Sequence, residues 1–402
     1  MITMRRQLLG LGFVAASSLL ALHAAQAMTG PTAIQIDGGP LGDLQFSGGV
    51  DGYGYFVTGT NSNYNGLISS NTPVGAEVGS ALVELQKTDG VLQFTIEIGS
   101  NGGATTLGTA PSQTSITNLS TGPLYEGYLT LAPTGTPFTI SAGVIPSLEG
   151  YESGVDWNNA DQLTTLLFYV ENGQNRGVNV NYTQGPVNAT VAMTDGYDTG
   201  VFNFLQALVT YTFNPTNVLS VFYGGNLGST GLAAHTYAGT GNYKDTSVEN
   251  YGSQFDNSQM VGAYYSYTDG NLLLVPEVQF QFAKRNDNLD LGKSTYNLGA
   301  AVFGDYSFGT SPYSLGGWVE YFDSTASDYN YPSGNIWAGG QAAEAIGISL
   351  APTWQYKDLF ARANVGYLYL LNHKGPYEQY GYGSGNDGQN NFQGTLEAGL
   401  LF

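Results

Sequence analysis

Cysteine is missing from all 402 residues, so neither a disulfide nor a thiolate metal site can hold this chain together. Positive charge is nearly as scarce: 11 Lys and Arg stand against 31 Asp and Glu, a balance that excludes nucleic acid as a partner. Of three histidines, His23 lies in the amino-terminal segment, and His235 and His373 fall in polar, loop-like stretches. No His-Glu-x-x-His and no Gly-x-Ser-x-Gly occurs; the nearest approach, Gly347-Ile348-Ser349-Leu350-Ala351, reads as strand. The acidic stretch NDNLDLG, Asn286 to Gly292, lacks the spacing and the terminal bidentate Glu of a calcium loop. The sequence therefore suggests no metal, no cofactor and no catalytic constellation. Beyond residue 27, nothing approaches the ~18 consecutive apolar residues that a membrane helix requires.

What is present begins with Met1 to Ala27, an arginine-bearing start, an apolar middle and the small-x-small site Ala25-Gln26-Ala27. This reads as a signal peptide and leaves residues 28–402 as one exported domain. Glycine numbers 57 and tyrosine 29, while charged residues make up 10%, well below the usual quarter. With 42% hydrophobic and 13% aromatic residues there is ample surface to bury, so disorder is a poor reading.

The clearest pattern has period two. In VLQFTIEIG, Leu92, Phe94, Ile96 and Ile98 oppose Gln93, Thr95 and Glu97; GVNVNYTQ, VNATVAMT and EVQFQF repeat the scheme. Compact turn signals separate such segments at 88–90, 134–137, 214–217, 268–271 and 309–312. Long polar connections lie between the others, at 58–77, 100–122, 225–258, 323–341 and 372–391. Alternating short and long connections are the signature of a membrane barrel, whose tight turns share one side. Only a closed sheet can cross lipid, because every backbone polar group there needs a partner. Period alone does not say which face meets lipid; apolar out and polar in suits an exported, two-faced sheet better than a dry soluble core.

Strand count follows from parity. Including the apolar run Leu163 to Glu171 gives 17 segments and throws later tight turns onto the long-loop side. Removing it leaves 16, with both chain ends on the turn side. The expected architecture is thus an all-β, transmembrane, antiparallel up-and-down β-barrel of about 16 strands. Its third long loop, about 146–176, folds into the lumen to hide its apolar content. There Leu166 and Phe168 should pack on the inner wall. Glu149, Glu152, Asp156, Asp161 and Glu171 should form an acidic constriction, offset by Arg176 alone.

These residues resemble the OmpL-like β-barrel porins, the porin-2 barrel family of Gram-negative outer membranes. The similarity is carried by AGVIPSLEGYESG (142–154), LLF (166–168), GVNVNY (177–182) and TDGYD (194–198), roughly a fifth of the chain. The family's usual Asn-Gly-Trp is here Asp195-Gly196-Tyr197. The resemblance implies an outer-membrane channel. In the closing GTLEAGLLF, Leu396, Ala398, Leu400 and Phe402 share one face and look like the terminal signal read by the barrel assembly machinery. Outward aromatics near strand ends, Tyr182, Phe213, Tyr306, Trp354 and Phe402, suit interfacial girdles.

The polar faces should line the lumen with Glu84, Glu97, Glu126, Glu277, Glu320, Glu344 and Glu397, against Arg362 as the one mid-strand base. Passive diffusion of ions and small hydrophilic solutes, with cations preferred, is the expected function. Expected partners are outer-membrane lipid, the assembly machinery, the solutes themselves and other copies in a possible homotrimer. Two rivals stand beside it: a secreted, soluble β-protein of adhesin type, and an outer-membrane barrel enzyme acting through His235 or His373.

Overall fold

Period-two segments become long strands here, and the two faces of each strand meet different surroundings. The computed structural model describes residue 28 and residues 30–60, 72–102, 104–111, 123–230, 256–289, 294–324, 343–372 and 381–402. The expected leader, residues 1–27, and both His235 and His373 lie outside the described residues. The wall consists of β1 (Asp43–Val57), β2 (Val74–Lys87), β3 (Leu92–Asn101), β4 (Leu124–Leu131), β5 (Phe138–Ile145), β6 (Asn175–Gln184), β7 (Val187–Thr194) and β8 (Phe204–Asn214). It continues with β9 (Asn217–Asn226), β10 (Ser258–Asp269), β11 (Leu272–Ala283), β12 (Thr295–Ser307), β13 (Tyr313–Ser324), β14 (Ala343–Tyr356), β15 (Leu359–Asn372) and β16 (Asn390–Leu401). Each pairs antiparallel with the next, and β16 returns to β1, from Gln393 opposite Val57 to Leu401 opposite Gly49. The 16 strands therefore form a closed cylinder. A short strand, Ile34–Asp37, adds to the start of β1.

The burial pattern is that of a protein solvated by lipid. On β3, Leu92, Ile96 and Ile98 are exposed, whereas Gln93 and Thr95 are buried; Leu92 shows 58% of its surface and Gln93 8%. On β11, Val278 and Phe280 face out while Gln279 and Gln281 face in. A soluble sandwich buries the opposite set, so the soluble alternative falls. Aromatics gather at strand ends, with Phe138, Phe213, Tyr306, Tyr313 and Tyr356 exposed near the turn side.

Seven tight connections lie at one end and eight longer ones at the other. Five of the seven fall on the turn signals read from sequence; the other two are Gly185-Pro186 and Lys357-Asp358, where Lys357 takes φ +54°. The run Leu163 to Glu171 stays out of the wall. Leu163–Thr164 pairs in parallel with Thr105–Thr106 of the second long loop, and Leu166–Tyr169 forms one helical turn whose cap, Thr165, accepts from Phe168 N. That turn corrects one expectation: Leu166, Leu167 and Val170 are buried, whereas Phe168 is only half-buried. Helical spacing, not alternation, selects the inner face.

Candidate functional site

The interior of a 16-strand barrel is wide enough for water, so its filling decides what it can pass. Much of the interior is packed with apolar side chains, so the inward faces of the wall are less polar than expected. Leu163, Leu166, Leu167 and Val170 of loop 146–174 bury themselves among Phe222, Val275, Phe303, Trp318, Phe322 and Leu368 of the wall. At about 1.5–3 kcal/mol for each large apolar side chain removed from water, this contact is substantial. Two wall glycines let the loop reach the sheet: a Cβ at Gly316 would stand 2.2 Å from Ala160 O, and one at Gly299 2.7 Å from Leu167 Cγ.

Polar wall residues tie down the loop backbone between these apolar contacts. Gln279 and Gln281 of β11 donate to the carbonyls of Leu167 (2.9 Å) and Val170 (3.0 Å). Trp318 Nε1 of β13 donates to Leu163 O at 2.6 Å, and Glu320 accepts from Leu166 N at 2.8 Å. On β15, Asn364 accepts from Gln162 N at 3.1 Å. Arg362, 1% exposed, pairs with Glu397 at 2.7 Å and donates to Asn159 O (2.6 Å) and Asp156 O (3.2 Å). It therefore clamps the loop and is sealed from solvent, contrary to the expectation of a pore-lining base. Buried backbone groups need such partners, which explains why Gln, Trp, Glu and Arg stand at these inward positions.

The five loop acids are engaged in the same packing. Glu149 accepts from Asn172 N at 2.8 Å, and Glu152 accepts from Thr165 N and from its hydroxyl. Asp161 accepts from Leu163 N at 2.9 Å, and Asp156, fully buried, accepts from Ser80 Oγ at 3.1 Å and Trp157 N at 2.9 Å. Glu171 is half-buried beside Gly150. Burial pushes the carboxyls of Glu149 and Glu152 up to about 8 and that of Asp161 up to about 6. Arg176 does not offset these acids, since it pairs with Asp195 and, at 3.3 Å, with Asp198. Asp195 belongs to the tight TDGYD bend, in which Tyr197 donates to Val170 O at 3.1 Å and holds the return of the loop.

The expected lumen row divides. Glu277, Glu320 and Glu397 lie under the loop. Glu344 is a correction: it shares the outward parity of Ile346, Ile348 and Leu350, where Tyr321 OH donates to it at 2.7 Å. Its place at the loop end of β14 puts it at the barrel rim, not in the lumen, and a register shift follows it at Ala345. Glu84, Glu97 and Glu126 remain together. Glu84 opposes Glu97 across β2 and β3, and Glu97 opposes Glu126 across β3 and β4, so three carboxylates stand side by side on the inner face.

That row borders a cavity of about 480 Å³. Glu149 and Glu152 line its other side, and no Lys or Arg is among its described lining residues. Met28, Pro31 and Ala33 also line it, a contribution that no sequence pattern announced; Met28 packs with Leu82, Trp157 and Leu401. A neighbouring cavity of about 100 Å³ adds Lys87, Thr95, Tyr128, Asn179 and Asn181, and shares Gln86, Pro146 and Ser147 with the first. Of the terminal set, Leu396, Ala398 and Leu400 face outward, and the Phe402 ring lies 5.7 Å from that of Phe46.

Residues 43–402 match the family described as beta-barrel porin-2, OmpL-like. No curated protein sequence matches the chain. Among solved structures, it is similar to the outer membrane channel DcaP of Acinetobacter baumannii, with TM-score 0.55 and 12% identity over 90% of this chain and 97% of that one. It is also similar to the anion-selective porin from Comamonas acidovorans, at 0.54 and 12% over 89% and 99%. OmpT of Vibrio cholerae in its trimer form gives 0.53 and 11% over 89% and 99%. At such identities the likeness is one of fold.

Proposed function

Since the chain belongs to the beta-barrel porin-2, OmpL-like family, whose barrels lie in the bacterial outer membrane, we propose that it is a passive channel for ions and small hydrophilic solutes with a preference for cations. The observation that carries the preference is the Glu84–Glu97–Glu126 row on an open cavity with no Lys or Arg among its described lining residues. Like charges directly opposite one another weaken a sheet, so three in register are a cost that fold stability does not explain. In a water-filled passage they concentrate cations and repel anions. The selectivity in the name of the Comamonas porin belongs to that protein; the ionisable groups of the acidic row beside this cavity are carboxylic acids. Loop 146–174 narrows the passage by packing Leu163, Leu166, Leu167 and Val170 against the inner wall.

The rest of the reading is proposed on the same basis. Residues 1–27 are a leader removed at Ala27, Leu396, Ala398, Leu400 and Phe402 form the assembly signal, and three copies associate in the membrane. No covalent step is assigned. The test is the reversal potential of purified protein in planar bilayers under a salt gradient. Potassium should pass in preference to chloride, and the triple variant Glu84→Gln, Glu97→Gln, Glu126→Gln should lose most of that preference. Chloride preference in the unaltered protein would end the proposal.

A further inference from the structure

One cluster of acids takes no part in the open cavity. Asp51 on β1, Asp156 at the tip of the loop and Glu397 on β16 each bring a carboxylate oxygen within 4.8 Å of the other two. All three are buried, with Asp156 and Glu397 at 0% exposure and Asp51 at 4%. Each has one oxygen already occupied. Asp51 Oδ1 accepts from Ser80 N, Asp156 Oδ1 from Ser80 Oγ and Trp157 N, and Glu397 Oε2 from Arg362. The second oxygens, Asp51 Oδ2, Asp156 Oδ2 and Glu397 Oε1, have no hydrogen-bond partner.

Three buried carboxylates, when all are ionised, leave two negative charges uncompensated by the one guanidinium, and isolated charge in such surroundings is strongly unfavourable. The cluster is also a built feature. Asp51 faces inward with Gly49 and Tyr53, the register shift opposite it places an extra residue of β2 at Gly79–Ser80, and Gly79 leaves the room Asp51 needs, since a Cβ there would stand 2.0 Å from Asp51 Oδ2. The donors are all oxygens, the chemistry of hard cations and not of zinc or copper.

We propose that Asp51, Asp156 and Glu397 bind one divalent cation of the calcium class, which fastens the loop tip to the first and last strands where the cylinder closes. The ion neutralises the surplus charge and gives each unpartnered oxygen a ligand bond. Arg362 holds Glu397 from the far side and fixes which of its oxygens faces the ion.

The test uses full-length protein in detergent, stripped with a chelator and titrated with Ca²⁺ by calorimetry, with unfolding temperature as a second readout. One Ca²⁺ per chain should bind and raise the unfolding temperature. Asp156→Asn should weaken binding at least about tenfold, the size of loss seen when metal-site partners are removed. Glu344→Gln, at the barrel rim, should bind as the unaltered protein does. If Asp156→Asn fails to fold, the chelator-dependent shift of the unaltered protein decides the matter. Failure of Ca²⁺ to bind or stabilise would overturn the proposal in favour of a proton shared between Asp51 and Asp156. Binding that survives Asp156→Asn, or is lost in Glu344→Gln, would place the ion elsewhere and overturn it equally.

Discussion

Strands β8 to β15 and strands β2 to β4 face the same interior and use it in opposite ways. The first group turns Phe222, Trp318, Phe322 and Leu368 inward and is covered by the loop. The second turns Glu84, Glu97 and Glu126 inward beside a cavity of about 480 Å³. Both lie in one hydrogen-bonded sheet with one lipid-facing exterior. The difference teaches that the inner face of such a barrel is not one environment: a loop can convert part of a wet wall into a dry core, and transport properties belong to the part it leaves uncovered.

Perturbing each side should separate the two roles. The largest effect is expected from Arg362→Met, which leaves Glu397 and two loop carbonyls without their donor. Breaking a buried pair in this way costs about 3–5 kcal/mol, to be read as a lowered denaturant midpoint in detergent; an unchanged midpoint would mean the clamp holds nothing. Next comes Leu167→Ala, a truncation in the dry core expected to cost roughly 2–5 kcal/mol. It should also make single-channel currents larger or noisier as the loop loosens, and steady wild-type currents would dissociate the loop from the passage. Glu97→Gln, on the wet side, should alter stability by no more than about 1 kcal/mol, in the favourable direction because like charges are relieved. Its effect should appear instead in the permeability ratio. The smallest effect is one of pH: Glu149 and Glu152, with carboxyls pushed up to about 8 by burial, are largely neutral below that value and anionic above it. Cation preference should therefore rise between pH 6 and pH 9, and a flat profile would remove both residues from the filter.

The wall was legible because membrane strands obey two simple rules, alternation of side chains and asymmetry of connections. Leu92, Ile96 and Ile98 stand outside as period two requires, and parity excluded Leu163 to Glu171 from the sheet. The interior was less legible, since inward-facing polar residues look alike in sequence whether they meet water or a loop. Glu97 and Glu320 alternate with apolar neighbours in the same manner, yet one borders a cavity and the other accepts from Leu166 N. Only the loop's path distinguishes them. Glu344 was misplaced because a strand-end residue can sit at the rim on the outward parity. A signal for the dry half did exist: inward phenylalanines, tryptophan and leucines on β9, β13 and β15, together with wall glycines at 299 and 316, ask for a partner inside.

Closure of the cylinder by its two most distant strands, β1 and β16, has a consequence for how the protein is made. Every other strand pair is a local hairpin or adjoins its neighbour across one connection, but this last pair joins residues more than 300 positions apart and cannot form until β16 itself is available. The loop contacts strands on both flanks of that final joint, through Asp156 to Ser80 of β2 and through Asn159 to Arg362 of β15. Zipping the last ladder and seating the mid-chain segment are thus coupled events: the interior is furnished as the door is shut.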